Sequence, residues 1–153
     1  MKVEISNWSL LKKLYPELVF SQPMLEKLIE THFFEYNFSS LGIIFVSEEY
    51  IHRLNKQYRG VDSVTDVLSF SLSLEPLMGE VYVCPKYILR NFSNEKFQEE
   101  ILRDIIHGIL HIAGFDHIGE FSEKNKKEKM FVKQEDILQN ILNEINNRTG
   151  QPR

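Results

Sequence analysis

The chain has a single cysteine, Cys84, so no disulfide can form within it and nothing points to an oxidising compartment. Cys84 ends the apolar run Val81-Tyr82-Val83-Cys84 and reads as a small buried hydrophobe. No apolar run reaches the roughly 18 residues that a membrane helix needs. The start, Met1-Lys2-Val3-Glu4, does not lead into an apolar stretch with a small-residue cleavage site. The expected location is therefore cytoplasmic, with no membrane partner. Glycine and proline are sparse at seven and five residues, and no linker, repeat or low-complexity segment divides the sequence, so residues 1–153 are read as one domain. Basic residues are not in excess either. The 18 Lys and Arg are outnumbered by 22 Asp and Glu, for a net charge of −4. That balance excludes binding of nucleic acid by bulk positive charge, so any phosphate contact has to come from a local cluster. With 42% hydrophobic and 26% charged residues, the chain has the composition of an ordinary globular protein with a core of its own.

What the sequence does hold is a concentration of histidine. Three of its five histidines fall within His107-Gly108-Ile109-Leu110-His111-Ile112-Ala113-Gly114-Phe115-Asp116-His117. Positions four apart on a helix lie one turn above each other, so His107 and His111 can aim imidazoles at one point. Gly114 is the residue type best able to end that helix in a left-handed turn. The reversal would bring His117 round as a third nitrogen ligand. Three neutral imidazoles leave one coordination position open, which is the arrangement of catalytic rather than structural zinc. A lone pair of histidines at this spacing arises by chance fairly often; the third histidine and the glycine at the turn lift this run above that. His32 and His52 stand alone among charged neighbours and read as ordinary surface positions.

The spacing His-x-x-x-His-x-x-Gly-x-x-His resembles the metzincin protease motif, with one departure. Those enzymes carry Glu directly after the first His as general base, and this chain has Gly108 there. No methionine-turn signature follows. Peptide hydrolysis by that route is not expected.

The coarse pattern of elements is legible. Val3 and Ile5 alternate with polar neighbours in a short strand at residues 1–6. Leu25, Leu28, Ile29 and Phe33 follow helical spacing between Pro23 and about Tyr36. Gly42–Val46 reads as a strand, and Ser47 caps a helix that has Glu48 and Glu49 in its first turn and runs to about Tyr58. Asp66–Leu74 and Glu80–Cys84 read as strands paired around a turn at Pro76–Gly79. A long helix from about Glu95 carries Phe97, Ile101, Ile105 and the histidines. A last helix, following Ser122, buries Phe131, Ile137, Leu138, Ile141 and Leu142. Together these predict an α+β fold: one small mixed sheet with helices packed mainly on one face, and the metal site on a long helix and the turn after it.

Arg53, Lys56 and Arg59 recur every three residues and form a basic stripe on one helix. By itself the stripe reads as a solvated face. The tract Lys124-Asn125-Lys126-Lys127-Glu128-Lys129 is interleaved with acid and reads as a solvated helix start.

Taken in order, Tyr58-Arg59-Gly60, Thr65-Asp66-Val67-Leu68-Ser69-Phe70, Gly79-Glu80-Val81-Tyr82-Val83-Cys84, the histidine run, and Met130-Phe131 with Gln134-Glu135 resemble the YbeY family of bacterial endoribonucleases. The resemblance covers about residues 41–138. The family's His-Gly-x-Leu-His-x-x-Gly-x-Asp-His pattern is matched at each fixed position by residues 107–117. Glu80 stands where the family more usually has Asp, and the connection from Phe70 to Gly79 reads as shorter than is common. The resemblance implies a metal-dependent endoribonuclease specific for single-stranded RNA, not DNA. It would act in maturation of ribosomal RNA, notably at the 3′ end of the small-subunit RNA, and in ribosome quality control, with ribosomal RNA or ribosomal subunits as partners. On that reading one zinc ion is held by His107, His111 and His117. Arg59 becomes the catalytic phosphate ligand, and Lys56 joins it in binding substrate. Asp66, Glu80 and Asp116 are candidate bases, with Asp116 alternatively orienting a ligand imidazole; the RNA 2′-hydroxyl is an alternative nucleophile to metal-bound water. The rival readings are a zinc metallohydrolase of another substrate class, and a ribosome assembly factor with a mainly structural metal.

Overall fold

The computed structural model describes residues 1–116 and 128–149. Four strands, β1 (Lys2–Ser6), β2 (Phe38–Phe45), β3 (Val67–Leu74) and β4 (Leu77–Val83), form a mixed sheet in the order β1-β2-β4-β3. β1, β2 and β4 run parallel, and β3 returns antiparallel on the edge beside β4. The described helices are α1 (Trp8–Leu14), α2 (Gln22–His32), α3 (Glu48–Arg59), α4 (Pro85–Asn91), α5 (Phe97–Ile112) and α6 (Lys129–Thr149). The α+β expectation holds.

The sheet has unequal faces because strand side chains alternate. On the inner face Val3, Ile5, Leu41, Ile43, Phe45, Val81 and Val83 meet the apolar stripes of α2, α5 and α6 in the main core. On the outer face a small cluster gathers Ile51 of α3 with Val46, Leu68 and Cys84. Cys84 is buried there, as its apolar neighbours implied. Helices thus cover mainly one face, with α3 alone contributing buried residues to the outer cluster.

Helix α5 lies unusually close to β4, and two glycines allow it. A Cβ on Gly108 would stand 2.6 Å from a methyl of Val81, and one on Gly79 would stand 2.6 Å from Ile112. Gly108 pairs with Val81 and Ile112 with Gly79, so the helix runs antiparallel to the strand. Gly79 therefore belongs to the interior of β4, and the hairpin turn is Glu75-Pro76 rather than Pro76–Gly79.

Sequence periodicity passes over α1 and α4. Each has seven residues, too short to show an apolar repeat. Pro85 at the start of α4 pre-sets the helical φ. The helix expected to reach Tyr36 stops at His32 and gives way to a 3₁₀ turn at Phe34–Tyr36, closed by Asn37 at φ 57°. Ser47 caps α3 as expected, its hydroxyl accepting from the Tyr50 amide at 3.1 Å. Ser122, the expected start of the last helix, lies outside the described residues.

Candidate metal centre

Helix α5 begins in acid, with Glu99 and Glu100 in its first turn, and ends where Gly114 takes φ 103°. The Gly114 amide donates to the carbonyl of His111 at 3.1 Å, and the Phe115 amide to that of Leu110 at 3.0 Å. This pair of bonds satisfies the last carbonyls of the helix and reverses the chain after His111. Phe115 then packs edge-on against Tyr36 at 5.9 Å.

The Nε2 atoms of His107 and His111 converge to 3.1 Å. Two nitrogens, each about 2.0–2.1 Å from one tetrahedral ion, stand roughly 3.3 Å apart, so the two rings are spaced as a pair of zinc ligands. Both imidazoles are half-buried, and Phe131 of α6 lies parallel to the His107 ring at 6.0 Å. Among the described residues no group of three His, Cys, Asp or Glu side chains is placed to hold a metal ion. The third expected ligand, His117, lies outside them, as do Lys124, Lys126 and Lys127.

A chain of hydrogen bonds fixes the form of His107. Arg103, one turn before it on α5, grips the Glu135 carboxylate with two bonds, Nε to Oε2 at 2.9 Å and Nη2 to Oε1 at 2.8 Å. Arg103 also reaches Glu100 and Glu99. Burial alone would raise the Glu135 carboxyl, but the hydrogen bonds from Arg103 and Gln134 outweigh it and hold it below the usual range. Glu135 is thus a carboxylate and can only accept. The Gln134 Nε2 donates to it at 3.0 Å, which turns the Gln134 Oε1 toward His107 Nδ1 at 2.7 Å. Since that oxygen accepts, Nδ1 is protonated, and Nε2 is the nitrogen turned toward His111. Gln134 is 1% exposed, so water does not compete for this bond. The paired imidazoles, the converging Nε2 atoms and the outer carboxamide all fit a divalent ion that prefers nitrogen.

Of the candidate bases, Asp66 meets α5. Its carboxylate accepts from the Val67 amide at 3.0 Å and faces Asp104, one turn before Gly108. Asp104 is half-buried, and its buried Oδ2 has no hydrogen-bond partner among the described residues. Burial, then the charge and hydrogen bond of Asp66, push its carboxyl well above the usual range. Glu80 is directed elsewhere. Its neighbours Gly79 and Val81 face α5, so Glu80 points to the outer face, where it accepts from the Tyr82 hydroxyl at 3.1 Å. Burial first, then Glu80, push that hydroxyl up to about 12. Glu80 therefore lies on the outer face of the sheet, the side that carries α3 and Arg59. Asp116 is exposed in the turn after α5.

Lys56 and Arg59 lie at the exposed end of α3, beyond the outer face of the sheet from α5. Arg59 Nη1 donates to Asn55 Oδ1 at 3.3 Å, and the buried Asn55 amide holds the Ser63 carbonyl at 2.9 Å. Lys56 stands 3.9 Å from Asp62. The part of these cations in a common site with the histidines rests on the motif. His52 pairs with Asp62 at 2.7 Å, and His32, half-buried rather than on the surface, with Glu144 at 3.3 Å.

A family model described as Endoribonuclease YbeY matches residues 13–142. The chain belongs to the YbeY family. An endoribonuclease YbeY of Thermotoga maritima is 46% identical over 121 residues, covering 78% of this chain and 79% of that one. The YbeY of Halalkalibacterium halodurans is 36% identical over 138 residues, 80% of each. A solution structure of a Thermotoga maritima protein aligns over 98% of this chain and 96% of its own, at 36% identity and a TM-score of 0.59.

In this YbeY chain the sequence pointed to Gln134 and Glu135 only as pieces of the family pattern, and to Arg103 and Asp104 not at all. A signal existed for the first. Gln134 interrupts the apolar stripe of α6 between Phe131 and Leu138, and a buried amide in such a stripe needs a partner. Arg103 falls four residues before His107, on the same helical face.

Proposed function

We propose that this protein is an endoribonuclease that cuts single-stranded RNA with the help of one divalent ion, zinc by its donor set. The observation that carries the reading is the 3.1 Å approach of two imidazole nitrogens, one of them on a ring whose Nδ1 is held by a buried carboxamide. His107 and His111 would hold the ion, with His117 as third ligand. When bound, the ion supplies a Lewis acid and lowers the pKa of bound water toward about 7. Gln134 keeps His107 in the ligating tautomer. Arg59, whose planar fork suits two phosphate oxygens, binds and neutralises the scissile phosphate, and Lys56 adds a weaker contact. Asp66 is the carboxylate best placed to accept a proton on the α5 side of the sheet. The substrate proposed is ribosomal RNA, at the 3′ end of the small-subunit RNA, within the cytoplasm. The names of the curated relatives, all endoribonuclease YbeY, support this reading.

The test incubates zinc-loaded protein and its His111→Ala variant with single-stranded RNA, duplex RNA and casein. Cleavage of single strands alone, by the unmutated protein alone, is the expected result. Casein hydrolysis would select the metallohydrolase reading. Bound zinc with no cleavage of any substrate would select the assembly factor.

A further inference from the structure

The outer face of the sheet carries four aromatic rings in a continuous series. Tyr58 of α3 meets Phe70 of β3 edge-on at 5.3 Å, and Phe70 meets Tyr82 of β4 edge-on at 5.7 Å. Tyr82 in turn stacks with Tyr50, at the start of α3, at 6.3 Å and 18° between planes. Phe70 and Tyr82 are half-buried and close over the small outer cluster. Packing accounts for those two. It does not account for the ends of the series, since Tyr50 is 41% and Tyr58 60% exposed.

The cations around these rings say what would cover them. The Arg53 guanidinium lies 5.7 Å from the centre of the Tyr50 ring. Lys56 and Arg59 follow on the same helix, Arg59 directly after Tyr58. An aliphatic protein partner would meet charge here, whereas a single strand of nucleic acid offers both matching halves: flat bases for the rings and phosphates for the cations. The ion pair of Lys56 with Asp62, both two-thirds exposed, is weak enough for a phosphate to displace.

We propose that Tyr58 is a stacking platform for an unpaired base of single-stranded RNA, with Arg53, Lys56 and Arg59 tracking the backbone along α3. The proposal rests on the endoribonuclease reading and adds where the strand lies and why it must be single. Bases paired in a duplex turn their faces to one another and cannot stack on a protein ring without being unpaired.

The experiment measures fluorescence anisotropy of the full-length protein, with chelator present so that no strand is cut. Three labelled probes are used: single-stranded oligoadenylate, an abasic oligomer of equal length, and a duplex. Wild-type protein should bind oligoadenylate at least about tenfold more tightly than the abasic strand, the size expected for loss of one stacked base. Tyr58→Ala should remove that preference and leave abasic binding unchanged, while Tyr58→Phe should bind as wild type. Equal binding of oligoadenylate and abasic strand by wild type, or equal weakening of both by Tyr58→Ala, would overturn stacking. If that same wild-type protein, zinc-loaded, still cuts RNA, the endoribonuclease reading survives. Wild type that neither binds nor cuts any single strand overturns both.

Discussion

The Oε1 of Gln134 lies 2.7 Å from the Nδ1 of His107, across the interface between α6 and α5. The amide cannot rotate to offer its nitrogen instead, because that nitrogen is committed to Glu135 and Glu135 to Arg103. The protonated nitrogen of His107 is thus set by side chains that are not themselves candidate ligands.

Gln134→Leu should therefore weaken zinc binding by about 10–100-fold, the usual cost of losing a partner behind a metal ligand. Titration calorimetry reads the affinity. Nitrogen NMR of the metal-free protein gives an independent readout: His107 should hold its proton on Nδ1 in wild type and lose that preference in the variant. Unchanged affinity and tautomer would show that the hydrogen bond follows the ring rather than orients it.

Asp104 provides a test in pH. Its carboxyl is pushed up in the folded chain by burial first and then by Asp66 and Glu100, with Arg103 opposing. The folded state then holds a proton that the unfolded state has released, so stability is lost as pH rises from about 3.9 through the folded-state pKa. Asp104→Asn supplies a neutral donor of the same shape. It should raise the melting temperature near pH 8, with the gain shrinking toward about pH 4. A variant less stable than wild type across that range would mean that the acid is stabilising as a charge.

Gly108 is a packing position as well as the site where a protease would carry Glu. A methyl there runs into Val81, so Gly108→Ala should cost about 1–3 kcal/mol, the range for overpacking a filled core. Denaturant unfolding measures it. Because the added carbon would face the strand, the same clash awaits Gly108→Glu. That variant should report on folding before it reports on charge near the histidines.

Arg59→Glu should abolish RNA cleavage while zinc content stays intact and stability changes by under about 1 kcal/mol, since the side chain is exposed. Lys56→Ala should act more weakly, raising the RNA concentration needed and reducing the salt slope by about one phosphate contact. Cleavage assays at two salt concentrations separate the two effects. Normal cleavage by Arg59→Glu would return the stripe to a solvated helix face.

Much of this molecule was local and hence legible in the sequence. The four-residue spacing of His107 and His111 fixes them on one helical face, and Gly114 ends that helix because it can take a left-handed φ; neither needs a partner from elsewhere in the chain. Ser47 capping α3 and the alternation in β1 are of the same kind. Tertiary structure decided what depends on residues far apart in sequence. The protonated nitrogen of His107 is set by Gln134, 27 residues away. The acid pair forms because β3 begins beside α5. Glu80 faces away from α5 because strand alternation put Gly79 and Val81, not Glu80, against that helix. The reason is physical: spacing along a chain fixes direction on one element, while contact between elements depends on how closely their faces approach. Here that approach was set by two glycines, Gly79 and Gly108, whose missing side chains let α5 sit against β4.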